Sequence, residues 1–344
     1  MHSSASSEVV AAIAAADAGA IPFDEFMALA LYGEHGFYNV GGAAGRRGDF
    51  ITSPEVGPLF GAVLARAIEA NWRELGEPTN FCVVEVGAGP GTLARAVLAA
   101  APEGLHEYVT VEVSAAQRER HPAGVTAVAA MPTEPFVGMI IANELLDNIP
   151  FRLAVFDGGW REAFVTVGQD GQLAEVLSVP LQDLPPWLPA TAPHGSRVPL
   201  QHEAAAWVRA ARRTLSAGRV IAIDYATQTT AEIAAMPWRE WLRTYRSQQR
   251  GAHYLRDVGE QDITTQVALD QLPPPETVRS QRQFLLRWGI DDLVAEGRRV
   301  WTEQASAPTV AAMMMRSRVS EAEALLAADG LGGFSVMEWT ATHR

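Results

Sequence analysis

The sequence predicts an α/β protein built on a doubly wound, Rossmann-like parallel sheet. Residues 81–86, FCVVEV, form an apolar and β-branched run typical of a buried parallel strand. Three glycines follow at Gly87, Gly89 and Gly91, and residues 92–100 then show an alanine- and leucine-rich helical pattern. Further apolar runs alternate with helical segments, as expected for parallel strands joined by crossover helices.

Residues 1–78 are predicted to be helical, with one long loop. Apolar periodicity indicates helices at residues 7–18, 22–32 and 55–75. Residues 31–57, which join the last two, contain glycines that exclude a long helix and aromatic side chains that suit packing or binding. Because a long irregular loop in a compact domain is more often functional than idle, this segment is a candidate lid.

The predicted core spans residues 79–227. Its short apolar segments are expected as strands at residues 81–86, 108–113, 125–128 and 138–142, and as helices at residues 93–101 and 115–120. Residues 151–167 change to a two-residue period around Asp157-Gly158-Gly159, which indicates a β-hairpin that extends the sheet. A proline-rich loop, a helix and a buried strand complete the core, at residues 180–199, 201–216 and 218–225.

The rest of the chain is predicted to hold an insertion and then the C-terminal elements. Residues 228–283 are interpreted as an inserted subdomain on the substrate side. Its aromatic residues lie among several arginines and include Trp238, Trp241, Tyr245 and Tyr254. The spacing of the first three is typical of the core-facing side of a helix, although they could also form a recognition surface. Residues 284–344 are expected to contain helices at 291–305 and 319–328 and a last strand at 334–339.

The composition limits the partners of the chain. The formal net charge is −13. Nucleic acid and anionic membranes are therefore unfavourable main partners, because phosphate binding depends on clustered basic residues, whereas a basic protein segment is a natural one. All 27 basic residues are arginine, which excludes a Schiff-base lysine and a P-loop lysine.

Cys82 is the single cysteine, so the sequence offers no disulfide framework and no cysteine-based zinc site. It stands in the first core strand with no basic neighbour, as expected of a buried, inert thiol. The N-terminal residues lack a basic segment before their alanine run, and no stretch of eighteen apolar residues occurs. We therefore expect a cytoplasmic protein without membrane insertion.

The spacing of the glycines indicates which cofactor the turn binds. The third glycine comes two residues after the second, whereas a dinucleotide fingerprint places it three after. Pro90 removes an amide donor that a pyrophosphate would need. The spacing thus disfavours an NAD-dependent dehydrogenase, although a glycine turn that binds no ligand stays an alternative.

Two acidic residues favour S-adenosylmethionine at this turn. Glu85 precedes the glycines and can face the ammonium group of a bound amino acid. Glu112 closes the next strand, about twenty residues on, where a carboxylate accepts hydrogen bonds from ribose hydroxyls. The residues predicted to bind S-adenosylmethionine are Glu85, Gly87, Ala88, Gly89, Gly91, Glu112, Val113, Asp49, Thr52, Ser53 and Asn143.

Several segments together resemble the MidA family of methyltransferases. They are GDFITSPEVGPLFG (48–61), VEVGAGPGTL (84–93), VEVS (111–114), NELLDNIPF (143–151), GWREAFV (159–165), VIAIDYA (220–226) and GEQDITTQVALDQL (259–272). The resemblance implies a class I, S-adenosylmethionine-dependent methyltransferase fold. The mitochondrial member of the family is a protein arginine methyltransferase that assists respiratory complex I assembly, which implies a protein substrate, such as a complex I subunit. The chain departs from the family at Ala226, at residues 259–264 and around His253, all on the presumed substrate side.

The chemistry of such a reaction selects the candidate catalytic residues. Methyl transfer from a sulfonium is an in-line displacement that needs positioning rather than a metal, so no metal is expected. A guanidinium acceptor is cationic and needs carboxylates to orient it and take a proton. Asn143, Glu144 and Asp147 follow the fourth core strand, where open α/β sheets bind ligands, and Glu144 is the first candidate for binding a guanidinium.

These candidate catalytic residues also have purely structural interpretations. Asn143 and Glu144 could form a solvated turn. Glu55 is a further catalytic candidate, and with Asp49 it could close over the same cleft, but Ser53-Pro54-Glu55 is also a standard helix start. Three functions follow: a protein arginine methyltransferase, a small-molecule O- or N-methyltransferase, and a cofactor-binding assembly factor with little turnover.

Overall fold

A computed structural model describes residues 4–40, 52–246, 249–307 and 309–342, with strands and helices numbered in chain order. A seven-stranded sheet forms its centre. Five parallel strands lie side by side in the order β4 (Thr126–Val128), β3 (Glu107–Val111), β2 (Cys82–Val86), β5 (Phe136–Asn143) and β10 (Leu215–Asp224). Beyond β10, β17 (Ser335–Thr342) and then β16 (Thr277–Ser280) add antiparallel pairs. The predicted α/β, Rossmann-like fold class is confirmed.

Helices cover both faces of this sheet. One face packs against α4 (Pro58–Glu74), α5 (Thr92–Ala100), α10 (Gln281–Arg287), α11 (Ile290–Gln304) and α12 (Val310–Leu326), and the other packs against α7 (His202–Thr214). The period of two along β2 explains the division, since Val83 faces the first set and Val84 faces α7. The alternation of strands and helices in the sequence had indicated this double covering.

The predicted hairpin forms, but the expectation that it extends the central sheet is wrong. Its strands belong to a separate antiparallel sheet of β1 (Ala20–Pro22), β7 (Trp160–Val167), β6 (Arg152–Phe156), β9 (Arg197–Leu200) and β8 (Leu173–Leu177). The apolar face of this sheet packs against α1 (Ser4–Ala15) and α2 (Phe23–Tyr32). The hairpin therefore meets strands and helices that are distant in sequence, and part of the predicted loop 180–199 is strand β9.

The single helix predicted over residues 55–75 is wrong as well. The chain forms α3 (Ser53–Val56) and then α4, separated by Gly57 in an extended conformation. A side chain at Gly57 would collide with the carboxylate of Glu321, which accepts a hydrogen bond from the Leu59 backbone N–H at 2.9 Å. This carboxylate from α12 caps α4, a tertiary contact that local periodicity does not contain.

The segment between β10 and β16 holds small elements. They are β11 (Ala226–Thr227), α8 (Thr230–Ala235), α9 (Trp238–Trp241), β12 (Arg243–Arg246), β13 (Gln249–Arg250), β14 (Asp262–Thr264) and β15 (Val267–Ala268). The three aromatics at 238, 241 and 245 do not share a helix, because Tyr245 lies in β12. A further short helix, α6 (Ala115–Arg118), follows β3.

The domain boundaries stay predictions. The predicted insertion, residues 228–283, includes β16, which pairs with the central sheet. Within the described residues, no helix combines the length and apolarity needed to cross a bilayer.

Candidate active site

The glycine turn lies between the end of β2 and the start of α5. Gly87, Gly89 and Gly91 have φ angles of 71°, 52° and 75°, a left-handed conformation that glycine adopts without strain. The backbone N–H groups of Gly87 and Ala88 donate to the Val111 carbonyl at 2.9 and 3.2 Å. The turn is thus fixed onto the end of β3, with its backbone along a cavity.

Glu112, directly after β3, and His121, just after α6, hold the turn. The Glu112 carboxylate accepts hydrogen bonds from the backbone N–H groups of Gly89 and Ser114, each at 2.9 Å. His121 Nε2 lies 2.8 Å from the Gly89 carbonyl, and its Nδ1 lies 2.8 Å from the Thr110 hydroxyl. Each Glu112 oxygen retains a lone pair, so the carboxylate can still accept a hydroxyl.

A cavity of about 400 Å³ opens at the carboxyl ends of β2, β3 and β5. The predicted cofactor residues that line it are Glu85, Gly87, Ala88, Gly89, Glu112, Val113, Thr52 and Asn143. Gly91 instead supports the turn from behind, where an added Cβ would lie 3.0 Å from His121 and Pro122. The predicted role of Ser53 as a cofactor contact is not supported, because its buried hydroxyl donates to Gln281 Oε1 at 2.9 Å. Asp49 lies outside the described residues, as does the middle of the candidate lid.

Glu85 is buried beneath the turn. The Tyr108 hydroxyl donates to it at 2.7 Å, and burial raises the pKa of the Glu85 carboxyl to about 8. A cationic group in the cavity would favour the ionised carboxylate, because an opposite charge offsets the cost of burying it. This position suits the ammonium group of an amino acid.

Glu55 also lines the cavity, from α3. It accepts a hydrogen bond from the Thr92 hydroxyl at 2.6 Å, so it links α3 to the first residue of α5. Its predicted catalytic role stays a prediction, and the contact with Thr92 gives it a structural role as well.

The loop after β5 brings a fourth acidic residue, Glu144, into the cavity wall beside Glu55, Glu85 and Glu112. Glu144 has a φ of 51°, held by a hydrogen bond from its backbone N–H to the Ile223 carbonyl at 2.8 Å. The Asn143 side-chain amide donates to Glu144 Oε1 at 3.1 Å. Asn143 Oδ1 is buried and has no hydrogen-bond partner among the described residues, so the cavity wall contains an acceptor that a ligand N–H or O–H could satisfy.

Asp147, predicted to be catalytic, does not line the cavity. Its carboxylate accepts a hydrogen bond from the Thr264 hydroxyl of β14, and its backbone N–H donates to Asp224 Oδ2 at 3.2 Å. It lies behind Glu144, and Asp224 caps the loop that both residues occupy. A direct contact between Asp147 and a substrate in the cavity is therefore not supported.

Four carboxyl groups gather around this loop, and we call them the carboxyl cluster: Glu144, which is half-buried in the cavity wall, and the buried Asp147, Asp224 and Asp262. Burial is the largest cause of the raised pKa at each of them. The pKa reaches about 8 at Glu144, about 7 at Asp262 and about 6 at Asp147, and mutual repulsion raises it further at Glu144, Asp224 and Asp262. Arg243 opposes the shift at Asp147. A cation placed next to Glu144 would offset the cost of burying these charges and their mutual repulsion.

Several residues around the cavity were not predicted from the sequence. Tyr32 and Tyr38 line it, and His121 holds the turn. Asp224 and Asp262 stand in segments that carried the family resemblance, which was the available signal for them. Among the described residues, no group of three or more acidic, histidine or cysteine side chains is arranged to hold a metal.

The fold and the site together are those of a class I methyltransferase, and similarity to known proteins identifies the family. A family model described as "Putative S-adenosyl-L-methionine-dependent methyltransferase" matches residues 63–281. The chain belongs to this S-adenosyl-L-methionine-dependent methyltransferase family.

Two solved structures from Burkholderia thailandensis resemble the whole chain. One is a candidate methyl transferase bound to S-adenosyl-homocysteine, 29% identical, with a TM-score of 0.81 over 97% of this chain and 91% of that one. The other is a native structure of a protein of the same superfamily, 27% identical, with a TM-score of 0.80 over 97% and 90% of the chains.

Curated relatives match over shorter ranges. The Drosophila melanogaster protein named "Protein arginine methyltransferase NDUFAF7 homolog, mitochondrial" is 31% identical over 199 residues, 46% of either chain. The human protein named "Protein arginine methyltransferase NDUFAF7, mitochondrial" is 41% identical over 63 residues, 18% of this chain and 14% of that protein. The chain thus matches less than half of the length of these relatives.

The residues present fit the cofactor of the family. The unpartnered Asn143 oxygen and the Glu85 carboxyl suit an ammonium group, and Glu112 suits ribose hydroxyls beside the glycine turn. When bound, S-adenosylmethionine supplies an electrophilic methyl group. The protein contributes orientation through the turn and Glu112, and its carboxyl groups can bind a cation and accept a proton.

Proposed function

We propose that this protein is an S-adenosylmethionine-dependent protein arginine N-methyltransferase. The observation that carries the proposal is the placement of Glu144 in the cavity wall, backed by three further buried carboxyl groups. A guanidinium is the cationic side chain whose planar fork pairs with a carboxylate through two parallel hydrogen bonds. The names of the curated relatives support the same acceptor.

The proton balance agrees with this role for Glu144. In the transfer, a guanidinium nitrogen forms a bond to the methyl carbon as the S–C bond of the sulfonium donor breaks, the neutral thioether is the leaving group, and one N–H proton is released. A cationic guanidinium favours the ionised form of Glu144, and a carboxylate whose pKa is raised to about 8 is basic enough to accept the released proton. Asp147, whose pKa of about 6 leaves it mainly ionised near neutral pH, adds negative potential and favours the cation.

The acceptor is proposed to be an arginine in a protein, with a respiratory complex I subunit as the candidate from the family resemblance. A cytoplasmic location is proposed as well. Affinity capture of the tagged protein from fractionated cells, followed by mass spectrometry for methylarginine, tests the acceptor and the location together. Capture of complex I subunits that lack methylarginine would favour an assembly factor with little turnover.

The reaction itself is tested with labelled S-adenosylmethionine and three acceptor pools. These are an arginine peptide array, the same array with every arginine replaced by lysine, and a metabolite extract. We expect label in the first pool alone, and no label with Glu144→Gln. Label confined to the metabolites would overturn the proposal in favour of a small-molecule methyltransferase.

A further inference from the structure

Tyr32 and Tyr38 lie on the cavity as a stacked pair, with ring centroids 5.5 Å apart and planes 15° apart. Tyr32 ends α2, and Tyr38 follows in the turn after it. Phe37, beside Tyr38, is buried and meets the Tyr38 ring edge-on at 5.1 Å. The pair, which we call the tyrosine wall, is therefore packed firmly against the cavity.

Both hydroxyl groups of the tyrosine wall are held by the protein. The Tyr32 hydroxyl donates to the Asn148 carbonyl at 3.0 Å. The Tyr38 hydroxyl lies 3.2 Å from Asn148 Oδ1 and 3.1 Å from Asp262 Oδ1, either of which can accept its proton. The Asn148 amide in turn donates to Asp262 Oδ1 at 3.1 Å and to the Ile263 carbonyl at 3.0 Å. What the wall offers a ligand is thus its ring surface rather than its hydroxyl groups.

The wall stands in the same cavity as Glu144, and the loop of residues 143–150 joins the two. Asn148, which fixes both rings, lies four residues after Glu144, and Asp262 contacts the wall and also acts on the Glu144 charge. Aromatic rings attract cations through their π faces, and an extended planar cation can stack on a ring while its edge pairs with a carboxylate. A compact ammonium group has no plane to stack.

We infer that the tyrosine wall is the second side of the methyl-acceptor subsite and makes it selective for a planar guanidinium over an ammonium group. This inference rests on the proposed arginine methyltransferase function. Tyr38 supplies the ring surface that favours guanidinium, whereas Asn148 and Asp262 are positioning residues that set the ring orientation. Glu144 supplies the charge, which both arginine and lysine would satisfy.

The test compares Tyr38→Leu with Tyr38→Phe. Calorimetry measures the binding of a Gly-Arg-Gly repeat peptide and its lysine counterpart to protein saturated with S-adenosyl-homocysteine. We expect the wild type to prefer the arginine peptide, Tyr38→Phe to keep that preference, and Tyr38→Leu to reduce it by about three- to tenfold. The affinity for S-adenosyl-homocysteine should be unchanged in both variants.

The possible failures are distinguishable. A wild type that binds the arginine peptide and a Tyr38→Leu variant with the same preference would overturn the inference and leave the proposed function standing. A loss of S-adenosyl-homocysteine affinity in Tyr38→Leu would also overturn it, because the wall would then serve the cofactor. A wild type that binds neither peptide would overturn both proposals. Should Tyr38→Leu fail to fold, the same measurements on Tyr32→Leu and Tyr32→Phe decide.

Discussion

The two sides of the cavity are built in different ways. The glycine-turn side uses residues 85–121, a continuous piece of two strands and two helices whose contacts are mostly backbone hydrogen bonds. The other side contains the carboxyl cluster and the tyrosine wall, and we call it the carboxyl side. It draws on residues from α2, the loop after β5, the end of β10 and β14, and its contacts involve side chains with buried charge.

This difference separates the binding of the donor from the choice of the acceptor. A backbone turn fixed to two strands of the sheet gives a constant shape for one cofactor. Side chains contributed by loops and inserted segments can change without disturbing that turn, because they lie on different elements. A change on the carboxyl side should therefore alter catalysis and leave cofactor affinity intact, and a change in the turn should do the reverse.

The largest expected effect comes from Glu144→Gln. The amide keeps the shape but neither carries charge nor accepts a proton, so methylation of an arginine peptide should fall by about 10²- to 10⁴-fold in kcat. Cofactor affinity, measured by calorimetry with S-adenosyl-homocysteine, should change less than about twofold. Glu303→Gln, the same chemical change on exposed α11, serves as the control. Equal activity in the two variants would remove Glu144 from the reaction.

Gly89→Val should act on the other side of the cavity. A branched side chain at a φ of 52° strains the backbone by about 1–2 kcal/mol and disturbs the hydrogen bonds to Glu112 and His121. We expect S-adenosyl-homocysteine affinity to fall about 100-fold or more, with the fold kept. Gly158→Val imposes the same type of strain in the hairpin, at a φ of 66°, and should leave this affinity intact. Retained binding in Gly89→Val would contradict the assignment of the turn.

The pH dependence of the rate sharpens the contrast. Burial raises the pKa of Glu144 to about 8, and Asp147 and Asp262 add repulsion. Because the ionised form binds the guanidinium, kcat/KM for an arginine peptide should rise about 25-fold from pH 6.5 to pH 8.5. S-adenosyl-homocysteine affinity should vary less over this range. A flat rate profile would show that Glu144 does not titrate in the free enzyme.

Stability should follow the opposite trend with pH. The folded pKa of Glu144 is above the value of about 4.3 for an unfolded chain, so the folded protein binds the extra proton. The stabilisation is fully present below about pH 4.3 and is lost as the pH rises through about 8. The melting temperature of wild type should therefore fall more steeply than that of Glu144→Gln between pH 6 and pH 8.5, as calorimetric scans would show. Parallel slopes would place the titration elsewhere.

The smallest expected effect is that of His121→Ala. Removing the ring deletes its contacts with the Gly89 carbonyl and the Thr110 hydroxyl, at about 1 kcal/mol for a neutral hydrogen bond. S-adenosyl-homocysteine affinity should fall about two- to tenfold, while His106→Ala, an exposed change before β3, should have no effect. An unchanged S-adenosyl-homocysteine affinity in both variants would show that binding at the glycine turn does not depend on His121.

The sequence predicted the glycine-turn side better than the carboxyl side for a physical reason. Gly87, Gly89 and Glu112 act through local geometry, which spacing along the chain records. Tyr38, Asn148 and Asp262 meet only after β14 folds against the loop following β5, so no periodicity places them together. His121 has the same character, since only the path of the chain after α6 brings it to Gly89.

The errors in the fold have the same origin. Gly57 divides a periodic helical segment because Glu321 approaches from α12, 262 residues beyond Leu59. The hairpin was recognised from Asp157-Gly158-Gly159, but its place depended on β1 and β9, which pair with it from both sides of the sequence. Local elements were thus predicted more successfully than the partners of those elements.

A crystal structure of the protein with S-adenosyl-homocysteine and an arginine peptide is the most direct measurement of the central claim. We predict that the homocysteine part of S-adenosyl-homocysteine lies along the glycine turn and that its ribose lies at Glu112. We also predict that the guanidinium lies within hydrogen-bond distance of the Glu144 carboxylate. A peptide bound elsewhere, with Glu144 in contact with the homocysteine, would contradict the assignment of donor and acceptor to the two sides of the cavity.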